Sequence, residues 1–195
     1  MVWERVDESL KILGGTNKRE LHWLAWKARG CDLVIEIGTW LGRSAYAMGT
    51  MVRGKVIAID TFAPVWPPDK NSRSWFRRKI GVPMEFFNEN KDYMYNQCLD
   101  NLVGLIEDGK VEVIRGDSSF VKNDLQGLKG LVDMVFIDGD HSYEGAKRDI
   151  LDYKPLIRKG GFISGHDFGK EVKEAVLELL PEAKLTTGCI WECGC

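Results

Sequence analysis

From Cys31 onward, short apolar runs alternate with stretches whose apolar residues recur at helical spacing. Residues 32–37 (DLVIEI), 55–60 (KVIAID), 111–115 (VEVIR), 132–138 (VDMVFID) and 161–166 (GFISGH) have strand length and are rich in β-branched residues. They are apolar on both faces, as strands of a parallel sheet covered by helices should be. Between them, Tyr95, Cys98, Leu99, Leu102, Val103 and Ile106 predict one helix. Tyr143, Ala146, Ile150, Tyr153 and Ile157 predict another, closed by Gly160-Gly161. Val172, Ala175, Val176 and Leu179 predict a third, stopped by Pro181. Within an N-terminal helical segment 1–30, Leu21, Leu24, Ala25 and Ala28 mark a helix that ends at Gly30. Residues 184–186 and 189–192, parted by Gly188, read as a final antiparallel hairpin. The pattern is that of one α/β domain over 1–195, a doubly wound, mostly parallel sheet.

Segment 61–90 breaks the alternation. Connections between a strand and a helix usually take ~2–6 residues. This one carries Pro64, Pro67, Pro68 and Pro83 with Trp66, Trp75, Phe76, Phe86 and Phe87, and it reads as a lid-like insertion. Arg73, Arg77, Arg78 and Lys79 interleave with its aromatics, a pattern suited to an anionic or aromatic ligand or to a solvated basic helix face.

Composition excludes several classes. The 195 residues are 44% hydrophobic and 29% charged with a net charge of −2, so no bulk field draws nucleic acid or an anionic membrane. No apolar run approaches the ~20 residues needed to cross a bilayer. The first 13 residues lack the apolar core of a secretion signal, so the cytoplasm is expected. Five scattered cysteines with no C-x-x-C pair argue against a disulfide framework, and Cys193-Gly194-Cys195 reads as a frayed, reduced tail.

Ligands of open α/β sheets bind outside the carboxyl ends of the strands. The first strand runs into Glu36-Ile37-Gly38-Thr39-Trp40-Leu41-Gly42, and Arg43-Ser44 then opens a helix whose N–H groups can hold a carboxylate. The G-x-x-x-G spacing and bulky Trp40 disfavour a dinucleotide pyrophosphate. Asp60, followed by Thr61, ends the second strand and suits either both hydroxyls of a ribose or a turn. Asp117, beside Ser118, can accept from an adenine amino group, cap the following helix, or do both. Asp138, Asp140 and His141 follow the fourth strand, and His166-Asp167 end the fifth. Neighbouring strands make these five converge, either around a divalent metal or in a hydrogen-bonded cluster that fixes two loops.

These phrases resemble the class I S-adenosylmethionine-dependent methyltransferases. They are most similar to the small metal-dependent O-methyltransferases of the macrocin and noviose type. VIEIGTWLGRSA (34–45), VIAIDTF (56–62), VDMVFIDGDHSYEGAKRD (132–149), GGFISGHDF (160–168) and the closing IW (190–191) carry the likeness. The resemblance implies S-adenosylmethionine as donor, held by Glu36, Gly38, Thr39, Gly42, Ser44, Asp60, Thr61, Asp117, Ser118 and Asp138. It implies a divalent metal, magnesium or manganese, on Asp138, His166 and Asp167, with Asp140 or His141 as base. The acceptor would be a small-molecule hydroxyl compound: a diol, a sugar or a catechol. Related enzymes are often homodimers. Relatives usually have Asp-Asp or Asp-Asn where this chain has His166-Asp167, and an imidazole shifts preference away from magnesium. The lysine base of catechol-type relatives is absent, since Ser142 and Tyr143 follow His141. Two rivals share the fold: a metal-using hydroxylase-like enzyme, and a module that binds the donor without catalysis.

Overall fold

The computed structural model describes residues 2–63, 86 and 90–195. Helices α1 (Val2–Glu8) and α2 (Lys18–Ala28) precede strand β1 (Leu33–Ile37), which is followed by α3 (Arg43–Met51), β2 (Lys55–Asp60), α4 (Tyr93–Glu107) and β3 (Val111–Arg115). Then come α5 (Ser118–Asp124), β4 (Val132–Ile137), α6 (Tyr143–Tyr153), β5 (Ile157–Gly165), α7 (Lys170–Leu179), β6 (Lys184–Thr187) and β7 (Ile190–Gly194). Apart from residues 61–63, 86 and 90, the lid-like insertion lies outside the described residues, as do the four arginines and lysines assigned to it.

The sheet order is β3-β2-β1-β4-β5-β7-β6. β1 to β5 pair in parallel, whereas β7 is antiparallel to both β5 and β6. The order reverses between β1 and β4, so the crevice for a ligand opens where these two strands end.

The period of two along each strand divides the core. Val34, Val56, Ala58, Met134 and Phe136 join the layer containing Leu24, Met48, Cys98 and Leu102. Their neighbours Ile35, Ile57, Ile59, Val135 and Ile137 join the layer containing Ile150, Tyr153, Val176 and Trp191. β3 is half exposed, as befits an edge strand carrying Glu112 and Arg115.

Four local expectations differ from the structure. Within the N-terminal helical segment the apolar pattern marks only α2, and α1 forms as well, its sole buried residue Val6 leaving no stripe. α6 stops at Tyr153, and a 3-10 turn containing Pro155 leads directly into β5. Ile157 therefore pairs with Val132 instead of extending the helix, and Gly160, at φ +77°, lies inside the strand. In α4 the buried stripe is Met94, Cys98, Leu102 and Leu105, while Val103 is exposed. The cysteine tail is not frayed: Cys193 pairs with Ile163, and Cys195 exchanges backbone hydrogen bonds with Gly160 and Gly161. Among the described residues no helix is long and apolar enough to cross a membrane.

Candidate active site

The turn after β1 is built on left-handed backbone. Gly38, Trp40 and Gly42 have φ of +87°, +48° and +89°. A Cβ on Gly38 would lie 2.1 Å from the Asp138 carbonyl oxygen, so only glycine lets the ends of β1 and β4 meet this closely. Gly42 is the N-cap of α3 and packs on Leu102.

Glu36 is fully buried beneath this turn. Its Oε2 accepts from the Thr39 hydroxyl. The Ser44 hydroxyl lies close enough to favour the charged form, yet Oε1 has no aligned donor among the described residues. Burial pushes its pKa up to about 7, against the pull of Ser44 and Thr39.

The loop before α2 covers the same turn. Arg43 donates from Nε to the Ile12 carbonyl at 2.5 Å and from Nη1 to the Thr16 carbonyl at 2.8 Å. A cavity of about 30 Å³, room for roughly one water, remains between Gly14, Thr16, Gly38, Trp40, Ser44 and Asp138.

Asp60 is held by backbone. Its Oδ2 accepts from the Trp40 N–H at 2.8 Å and its Oδ1 from the Phe62 N–H at 2.7 Å. Burial raises its pKa against these bonds. The Thr61 hydroxyl accepts from the Ala63 N–H at 3.2 Å. Asp117 caps α5: its Oδ1 accepts from the N–H and the hydroxyl of Ser119, which hold its pKa down. The Ser118 hydroxyl donates to buried Asp149 at 2.7 Å, and the Ser118 carbonyl accepts from Tyr153 at 2.8 Å. Ser118 is thus tied to α6 through both its side chain and its backbone carbonyl.

Beyond β4 and β5 lies an acidic corner. His141 places Nε2 3.4 Å from Asp138 Oδ1 and Nδ1 3.2 Å from Asp167 Oδ2. Asp138, His141 and Asp167 each offer one ligand atom, and these atoms lie within 4.8 Å of one another. His166 stands behind them, 10% exposed, with Nδ1 3.3 Å from Asp167 Oδ1 and 3.6 Å from Asp138 Oδ1. Burial raises the pKa of Asp138, the contact with Asp138 raises that of His141, and His166 lowers that of Asp167. Burial draws His166 down, but Asp167, Asp138 and Glu20 together push it up to about 9.

Asp140 turns aside. Its Oδ1 accepts from the Ser142 N–H at 3.0 Å, and its carboxyl packs where a Cβ on Gly145 would be. Convergence on the strand ends was thus legible from sequence, whereas Glu20, Arg43 and Asp149 were not singled out. Asn17 and Glu20 at capping-box spacing were the available signal for Glu20.

A mostly parallel sheet in this order, with a glycine turn after β1, a carboxylate ending β2 and an acidic corner beyond β4 and β5, defines the class I methyltransferase fold. A family model described as Methyltransferase domain matches residues 35–168, and the chain belongs to that family. The protein is a methyltransferase. Similar solved structures include an O-methyltransferase from Bacillus cereus in complex with SAH, at 15% identity and TM-score 0.65, covering 100% of this chain and 90% of the other. A SAM-dependent O-methyltransferase from Thermotoga maritima matches at 14% identity and TM-score 0.64, covering 100% and 71%. An SAH-bound methyltransferase from Podospora anserina matches at 15% identity and TM-score 0.56, covering 98% and 86%. No curated protein matches the sequence.

Proposed function

We propose that the protein transfers the methyl group of S-adenosylmethionine to a hydroxyl oxygen of a small diol, sugar or catechol-like acceptor. The observation that carries this is the contact of Gly38 with Asp138, which sets the donor turn directly against the acidic corner. The SAH and SAM named for the similar structures support the choice of donor.

On this reading, Glu36 Oε1 takes the ammonium of the donor and the N–H groups at the start of α3 take its carboxylate. Asp60 takes the ribose hydroxyls, and the Asp117–Ser118 turn lies beside the adenine. Two carboxylates and an imidazole converging at Asp138, Asp167 and His141 fit a divalent cation, with manganese suited to the mixed oxygen and nitrogen set. A cation held there supplies a Lewis acid that lowers the pKa of the acceptor hydroxyl. With His141 engaged, Asp140 is left to take the proton, its carboxyl swinging from the Ser142 N–H toward the corner. The donor turn and the corner then align the acceptor oxygen opposite the sulfur, at the ~3–3.5 Å that methyl transfer requires.

A second reading has a specific observation behind it. Both ring nitrogens of His141 face carboxylates without a cation between them. A neutral His141 that keeps Nε2–H on Asp138 and turns Nδ1 from Asp167 to the acceptor hydroxyl can then take its proton as base.

The test is labelled methyl transfer to a panel of catechols, diols and sugars, after chelation and after return of magnesium or manganese. Loss and recovery support the cation; indifference to chelation supports His141 as base. Calorimetry of donor binding to wild type and Asp60→Ala checks the other half. An absence of donor binding to wild type would sink both readings.

A further inference from the structure

Glu20 lies on α2, far in sequence from the strand ends, yet it is only 2% exposed and reaches the back of the acidic corner. A capping glutamate needs one oxygen for its helix, and Oε2 performs that task by accepting from the Asn17 N–H at 2.7 Å. The other oxygen is committed elsewhere. Oε1 accepts from the Cys189 N–H at 2.8 Å and stands 3.3 Å from His166 Nε2, a charge contact whose alignment falls short of a hydrogen bond. The turn before β7 can approach this closely only because residue 188 is glycine. Gly188 has φ +54°, and a Cβ there would lie 2.0 Å from Glu20 Oε1.

The same turn continues to the corner, since the Cys189 carbonyl accepts from the Phe168 N–H at 3.2 Å. Phe168 follows Asp167, whose left-handed backbone, at φ +51°, needs support from its surroundings. One buried carboxylate therefore braces the corner twice, through the imidazole of His166 and through the backbone that presents Asp167. Burying a carboxylate is costly unless its partners are fixed, and here they come from three separate segments.

We propose that Glu20 is a positioning residue of the acidic corner. Its carboxylate holds the Nε2 edge of His166, so that Nδ1 points at Asp138 and Asp167, and it anchors the turn behind Asp167. The proposal rests on the reading that this corner binds a divalent cation. His166 faces the ligands Asp138 and Asp167 from behind, and outer partners that orient metal ligands typically change affinity by roughly 10–100-fold.

The test uses the full chain as wild type, Glu20→Gln, Glu20→Ala and Asn17→Ala, with manganese alone as the probe. Affinity is read by electron paramagnetic resonance, and the ring nitrogens of His166 are read by NMR in metal-free protein. Glu20→Ala should shift the His166 nitrogens and weaken manganese binding at least tenfold. Glu20→Gln keeps the shape and gives the same readouts should the alanine variant fail to fold. Asn17→Ala removes the helix cap without touching His166, and should hold manganese affinity within about twofold. Unchanged His166 nitrogens in the Glu20 variants would overturn the proposal, as would an equal loss of affinity in Asn17→Ala. If wild type binds no manganese, the cation reading fails by itself. The NMR comparison then decides the role of Glu20, altered nitrogens supporting it and unchanged ones refuting it.

Discussion

The Asp138 carbonyl oxygen occupies the space that a side chain on Gly38 would need, 2.1 Å from the ideal Cβ position. The turn proposed to receive the donor and the strand end that begins the acidic corner are therefore one packed unit. Any side chain at 38 must push them apart, and it must also adopt φ +87°, which L-residues resist.

Gly38→Ala should consequently lose measurable donor binding in calorimetry and fall in stability by about 1–3 kcal/mol in urea. Gly15→Ala is the control, since a Cβ there meets nothing within 4 Å. A Gly38→Ala protein that binds donor normally would refute the unit.

Glu36 gives a pH dependence. Its carboxyl is raised by burial to about 7 from an ordinary value of 4.5. Between those values the folded chain binds more protons than the unfolded one, so this group makes stability fall as pH rises through the window and level off above it. Glu36→Gln removes the penalty. In donor-free protein its stability advantage over wild type should grow from pH 4.5 to 7 and stay constant beyond, up to about 3 kcal/mol. Parallel pH curves for the two proteins would show that Glu36 keeps its ordinary pKa.

At the opposite end of the sheet, Asp133 Oδ2 accepts from the N–H groups of Asp32 and Leu33 at 2.7 and 2.9 Å, and its Oδ1 accepts from Arg158. Asp133→Ala orphans two backbone donors where β1 begins, and should cost about 2–4 kcal/mol by thermal unfolding. Donor affinity of the folded fraction should not change, because the site lies beyond the other strand ends. A drop in donor affinity would mean that the two ends are coupled.

The corner and its neighbour can be separated. Asp138 and Asp167 point their carboxylates at His141, whereas Asp140 caps the Ser142 N–H. Asp138→Ala should abolish manganese binding, and Asp140→Asn should leave it within about twofold. On the cation reading, Asp140→Asn should still lower the turnover rate at neutral pH. Full activity in Asp140→Asn would move the base assignment to another group.

Much of this was readable from residue order. The alternation Val34-Ile35 and Met134-Val135-Phe136-Ile137 gave central strands, because residues buried on both faces leave no polar period. The carboxylates at or just beyond the strand ends pointed to the candidate site, since parallel strands deliver their last residues to one edge. What escaped was non-local. Ile157 fits a helical stripe equally well, and only pairing with Val132 decides for the strand. The cysteine tail looks free until Gly160 and Gly161 supply its partners. Glu20 spells a helix cap, and nothing in its neighbourhood announces Cys189 or His166, both more than a hundred residues away.

The hairpin turn at Gly188–Cys189 also sets an order of events during synthesis. β1 to β5 emerge from the ribosome before β7, the strand that sits between β5 and β6. The turn after β1 packs on residues up to Gly139, but the loop carrying Asp167 lacks the Cys189 contact until residue 189 is available to Glu20 and Phe168. A nascent chain halted in α7 would thus possess both carboxylates of the corner and lack the strut that holds them in place.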